Sequence, residues 1–157
     1  MREQNEQMMK RTIRLSIENV ESGGGPFAAL VVKDDKILAE GVNRVTLEHD
    51  PTAHAEICAI REATQKLGTH ELQDCILYCS CEPCPMCLGA IYWARIPLVY
   101  FGNSREDAHD YGFDDSHIYK QINLPADQRA IRFKRMLPEE AIEAFKRWDQ
   151  KGDKILY

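Results

Sequence analysis

The sequence has no apolar run approaching the ~20 residues that a membrane-spanning helix needs. Its first residues, Met-Arg-Glu-Gln-Asn-Glu-Gln, lack the apolar centre of a secretory leader. Positive charge is not in excess either: 20 Lys and Arg stand against 25 Asp and Glu, a formal net charge of −5 at pH 7. With a pI near 5.5, the net field of the chain attracts no polyanion, which argues against a general nucleic-acid binder. Repeats, low-complexity tracts and linkers are missing. Gly23-Gly24-Gly25 lacks the Gly-Lys-Ser or Gly-Lys-Thr ending of a phosphate loop and reads as a flexible turn. What remains is an ordinary globular composition, 44% apolar and 29% charged, which excludes intrinsic disorder. A length of 157 residues suits one domain. The expectation is a cytoplasmic protein with a single domain over residues 1–157.

The cysteines stand apart from this ordinary background. There are six, and Cys75, Cys79, Cys81, Cys84 and Cys87 crowd into thirteen positions, with Cys58 upstream. In a reducing compartment a disulfide framework is disfavoured, so metal binding or catalysis is the better reading for some of them. Cys58, on the apolar side of its predicted helix, and Cys75 read as packing residues.

Hydrophobic spacing places the elements. Residues 5–22 read as an amphipathic helix with Met9, Ile13, Ile17 and Val20 on its apolar face. The runs 27–32 and 37–42 read as a hairpin. Residues 54–67 have helical spacing and end at Gly68, a predicted C-cap. Residues 75–79 form a strand candidate, and Pro85 opens a helix to about residue 94. Residues 96–101 give a fourth strand and 129–136 a fifth; a polar, irregular stretch with a short helix separates them. Residues 138–150 form a last helix carrying Ile142, Phe145 and Trp148. This order predicts an α/β protein, a three-layer α/β/α sandwich on a mixed, mostly parallel five-stranded sheet.

Two short patterns carry the chemistry. His54-Ala55-Glu56 opens one predicted helix, and thirty residues after His54, Cys84-Pro85-Met86-Cys87 opens another. Cysteines three positions apart at a helix start aim both sulfurs at one point, where the positive end of the helix dipole favours thiolate. His54 supplies a third ligand. Three protein ligands leave a fourth tetrahedral position for water, the mark of a catalytic rather than a structural zinc. Glu56, two residues from His54, is placed to carry a proton without ligating the metal. A lone Cys-x-x-Cys is weaker evidence, because redox dithiols share it. Cys79, Cys81, Cys84 and Cys87 offer an all-cysteine structural zinc site as a rival, but that set leaves His-Ala-Glu unexplained. The conjunction of His-x-Glu with Pro-Cys-x-x-Cys is the established signature of zinc deaminases.

On these residues the chain resembles the cytidine deaminase-like zinc deaminase superfamily. Residues 50–56 (Asp-Pro-Thr-Ala-His-Ala-Glu) and 80–91 (Ser-Cys-Glu-Pro-Cys-Pro-Met-Cys-Leu-Gly-Ala-Ile) are similar to the branch holding bacterial guanine deaminases and tRNA adenosine deaminases. Gly112-Phe113-Asp114-Asp115-Ser116, Ile118-Tyr119-Lys120 and the terminal Tyr157 extend the likeness to the guanine deaminases over nearly the whole chain.

The resemblance implies hydrolysis of guanine to xanthine and ammonia with one Zn2+ per chain. His54, Cys84 and Cys87 would be the ligands and Glu56 the catalytic base and then acid. It places Asn43, Ala55, Asp115, Tyr157 and Phe27 against a small purine, with Asp114 able to exchange roles with Asp115. It implies a homodimer, with residues 138–157 a candidate for exchange between copies, and no nucleic-acid or membrane partner. His49, His70, His109 and His117 show no ligand pairing. A tRNA adenosine or nucleoside deaminase of the same superfamily and a zinc-stabilised structural module are the competing expectations.

Overall fold

The computed structural model describes residues 2–157, which divide into two compact units, 2–115 and 116–157. The first unit opens with helix α1 (Arg2–Glu21), followed by strands β1 (Ala28–Lys33) and β2 (Lys36–Val42) and a short helix α2 (Val45–Glu48). Helix α3 (Ala55–Leu67), strand β3 (Cys75–Cys81), helix α4 (Pro85–Trp93), strand β4 (Leu98–Asn103) and helix α5 (Arg105–Asp110) complete it. Asp34 and Asp35, both at positive φ (48° and 63°), form the two-residue turn of the β1–β2 hairpin. That geometry matches the right-handed twist of the flanking strands. Gly68, at φ 64°, caps α3 where the sequence predicts.

Among the described residues the sheet has four strands in the order β2-β1-β3-β4. Its alternation divides the core. Ala29 and Val31 of β1, with Leu77 and Cys79 of β3, join Ala55, Ala59 and Ala63 of α3 and Ile91 of α4 in one buried cluster. Leu30, Val32 and Tyr78 face the other way and pack with Met8, Met9 and Leu15 of α1. This is the expected three-layer arrangement. Both polar ends of the α1 contact are bonded: Tyr78 donates to Asn5 Oδ1 (2.7 Å), and Arg11 binds Glu40 of β2 through two nitrogens at 2.9 and 2.8 Å.

Three expectations need correction. The sheet is mixed but not mostly parallel: β1 pairs antiparallel with both β2 and β3, and β3–β4 is the parallel pair. The crossover through α3 does leave β2 and β3 running the same way, but β1 lies between them. The expected fifth strand does not form. Arg129 instead donates to the Leu124 carbonyl (3.0 Å), Ala130 N–H to Gln121 Oε1 (2.7 Å), and the Arg129 guanidinium lies 5.3 Å from the Phe133 ring. These contacts tie the segment to the end of helix α6 (Ser116–Ile122), so its alternation of basic and apolar residues serves no ladder.

The apolar stripe expected to bury α1 is the third. Ile13, Ile17 and Val20 are exposed, at 42%, 55% and 50%, whereas Thr12, Ser16 and Asn19 are buried. The large Leu30, Val32 and Tyr78 already fill the sheet face, so the helix presents small polar residues there. Their hydroxyls are satisfied locally, Thr12 donating to Met8 O (2.9 Å) and Ser16 to Ile13 O (2.7 Å).

In the second unit α6 is followed by a 3₁₀ turn (Ala126–Gln128) and helix α7 (Pro138–Gln150), whose Ile142, Phe145 and Trp148 are 43%, 71% and 40% exposed. No helix among the described residues is long and apolar enough to cross a membrane.

Candidate active site

Register brings the candidate residues to one end of the sheet. Ala28 pairs with Val42, Ala29 with Cys79, and Cys79 with Phe101. Phe27 just before β1, Asn43 just after β2, and the segments leaving β3 and β4 therefore share one edge. In open α/β sheets that edge, outside the carboxyl ends of strands, is where ligands bind. The starts of α3 and α4 arrive at the same place.

His54 and Cys84 are the N-cap residues of α3 and α4, both with extended backbone, and neither side chain caps its own helix. They face each other instead. His54 Nδ1 lies 3.5 Å from Cys84 Sγ and 3.5 Å from Cys87 Sγ. Tetrahedral zinc with ordinary Zn–N and Zn–S lengths separates such ligand atoms by about 3.5 Å. All three ligand atoms lie within 4.8 Å of one another, the group among the described residues arranged to hold a metal ion. The donor set therefore fits zinc. All six cysteines are free thiols. Of the rival all-cysteine set, Cys79 is buried in the core and Cys81 is held through its thiol to the Ser104 carbonyl (3.7 Å), away from the group.

Electrostatics within the group are consistent with this use. The thiol of Cys84, hydrogen-bonded by Cys87 and by His54, is lowered to about 4, so it is a thiolate at neutral pH. Cys87, sharing its proton with that thiolate and buried, is raised. His54 is raised chiefly by its hydrogen bond to Cys84. Glu56, in the first turn of α3, is 8% exposed, and burial pushes its carboxyl up while a side-chain hydrogen bond links it to Cys87. A carboxyl so placed holds a proton more readily than an exposed one, which suits a group that takes and returns a proton.

The neighbouring positions are held by the fold. Arg44 N–H donates to the Ala53 carbonyl (2.9 Å), which sets Asn43 beside the His54-Ala55-Glu56 stretch. Asn43 and Ala55 are buried, at 9% and 0% exposure. Phe27 packs edge-to-face on Phe113, with ring centres 4.9 Å apart, and returns the 111–115 loop to this edge. Asp115 is bound to Arg105 (3.3 Å), whose N–H donates to Glu82, two residues before Cys84 (3.3 Å). Asp114 lies 3.5 Å from His109 instead. Tyr157 belongs to the second unit and is 73% exposed. Arg105 is not legible in the sequence, since a lone arginine in a polar stretch carries no periodic signal.

The pattern of the family described as the cytidine and deoxycytidylate deaminase zinc-binding region matches residues 2–103. Guanine deaminase of Bacillus subtilis is 52% identical over 153 residues, covering 97% of this chain and 98% of the relative. Its X-ray structure superposes with a TM-score of 0.94. A tRNA-specific adenosine deaminase of Buchnera aphidicola is 34% identical over 81% of each chain. The structure of a guanine deaminase from Nitrosomonas europaea matches with a TM-score of 0.66 at 31% identity, over 87% of this chain and 70% of that one.

Proposed function

The chain belongs to the family of zinc-binding cytidine and deoxycytidylate deaminases, and on that premise we propose that it is a guanine deaminase, converting guanine and water to xanthine and ammonia. The observation that carries the chemistry is the His54 nitrogen standing 3.5 Å from two sulfurs beside the buried Glu56. The likeness that carries the substrate extends past residue 103, where the family pattern stops, through 97% of the chain.

His54, Cys84 and Cys87 hold the metal. When bound, zinc lowers the pKa of a water toward ~7 and so supplies hydroxide at neutral pH. Glu56 accepts a proton from the attacking water and passes it to the ring nitrogen beside the amine-bearing carbon. It then takes the second proton, from the new hydroxyl on that carbon, and gives it to the amine, which leaves as ammonia as the C–N bond breaks and the oxygen becomes the carbonyl. One carboxylate thus serves as base and then acid, a role that its raised proton affinity suits. Asn43 offers its side-chain amide to the purine edge. Ala55, first residue of α3, lines the base, Phe27 packs on it, and Asp115 accepts bonds from the ring N–H and the amine. Tyr157 is assigned to the substrate by resemblance alone, and deleting it tests that.

Reduced thiolate ligands fit a cytoplasmic setting. Residues 1–157 function as a single deaminase domain and associate as a homodimer in which residues 138–157 are exchanged, a reading supported by the exposed Ile142, Phe145 and Trp148. Light scattering of the full chain and of a form ending at residue 137 tests it.

Absorbance-monitored conversion of guanine, guanosine, adenine and cytosine, with tRNA in a parallel ammonia assay, tests the substrate. Guanine alone should react. Ammonia from adenosine in tRNA with none from guanine would reverse the assignment.

A further inference from the structure

A buried polar side chain on α1 is not used by the chemistry above. Asn19 is 6% exposed, and both hydrogens of its amide are committed: Nδ2 donates to the Gly25 carbonyl at 2.7 Å and to the Asn43 carbonyl at 2.9 Å. The Gly25 carbonyl also accepts the Phe27 N–H (2.8 Å), and Asn43 N–H donates to the Phe27 carbonyl (3.0 Å). One amide therefore grips the entry to β1 and the exit from β2, which carry Phe27 and Asn43.

The turn is shaped around this contact. A Cβ on Gly24 would lie 2.4 Å from Asn19 Nδ2, and one on Gly25 would lie 2.9 Å from Asn43 Oδ1. The Asn43 side chain is itself bonded, Oδ1 accepting from Val45 N–H at 3.3 Å. Little freedom remains to Asn43 while Asn19 is in place.

We infer that Asn19 is a positioning residue that fixes Asn43 for purine binding, acting from α1 through the backbone of the 24–27 turn and without touching the substrate. The inference rests on the reading of Asn43 as a purine-binding residue. Its rival is a structural role in which Asn19 only pins the last turn of α1 to the sheet. Misfolded enzyme lowers the apparent kcat but leaves the KM of the folded fraction unchanged, so the two roles separate kinetically.

The test is steady-state kinetics on guanine, with zinc per chain measured, for Asn19→Ala, Gly24→Ala, Asn43→Ala and the Asn19→Ala/Asn43→Ala pair. Gly24→Ala displaces the Asn19 amide from outside and serves if Asn19→Ala does not fold. Asn43→Ala should raise KM about tenfold, the effect of one buried hydrogen bond left unmade. Asn19→Ala and Gly24→Ala should raise it severalfold with zinc unchanged and kcat little altered, and the pair should not exceed Asn43→Ala alone. If Asn43→Ala raises KM while Asn19→Ala and Gly24→Ala leave it at the wild-type value, or if the effects multiply, the positioning role is overturned and the reading of Asn43 stands. If Asn43→Ala also leaves KM unchanged, that reading fails and the inference with it.

Discussion

Gly41 of β2 and Ala55 of α3 meet backbone to backbone: a Cβ on Gly41 would lie 2.1 Å from the Ala55 carbonyl oxygen, and 2.6 Å from the Ala59 nitrogen. The strand thus presses on the first turn of the helix that carries His54 and Glu56. Gly41→Ala must push that turn away, at a cost of about 1–3 kcal/mol or more for a side chain forced into a packed interior. Thermal melting should fall, and zinc per chain should fall with it. An unshifted melt with full zinc would mean that the contact is looser than described.

Glu56 and His54 have separable tasks. Glu56→Gln keeps the shape of the side chain but cannot accept a proton. It should reduce turnover by roughly 10²–10⁴-fold, the usual contribution of a positioned acid–base group, with zinc retained. His54→Ala should lose the metal itself. Zinc analysis of both variants beside their kinetics checks this, and full activity in Glu56→Gln would remove Glu56 from the acid–base role.

The metal-free protein should show one reactive thiol at pH 6. Cys84, lowered to about 4, is ionised there, whereas burial lifts Cys79 and Cys81, the latter to about 11, and both stay protonated. Thiolate is the nucleophile. Mass mapping after brief alkylation should find Cys84 modified first and protected by added zinc, and labelling spread evenly over the six cysteines would contradict the ordering.

The two adjacent aspartates should differ. Asp115 is held by Arg105 with its side chain 21% exposed, while Asp114 pairs with His109 and is 43% exposed. Asp115→Asn should raise KM for guanine about tenfold, as when a charged hydrogen bond is lost, and Asp114→Asn should leave it near wild type. The reverse pattern would exchange their roles.

The helix starts at His54 and Cys84 were legible because chemistry and local signals coincide: ligand types, Pro85 at the first helical turn, and Gly68 at the end of α3. The β1–β2 hairpin was legible from two apolar runs around a short polar turn. Sheet order was not, because a crossover predicts two strands running the same way but does not say that β1 lies between them. The stripe of Ile13, Ile17 and Val20 mimics a core-facing side, but burial of α1 is decided by the bulk of Leu30, Val32 and Tyr78 across from it. Asn19 was illegible for the same reason. An asparagine beside an apolar stripe has no pattern of its own, and its partners are carbonyls, which every residue has.

The most direct measurement is guanine-dependent ammonia release on a single preparation as purified, after exhaustive chelation, and after zinc is restored. Zinc dependence predicts about one zinc per chain, loss of turnover when the metal is removed, and its return on stoichiometric zinc. Undiminished turnover by protein shown to be free of transition metal would contradict it.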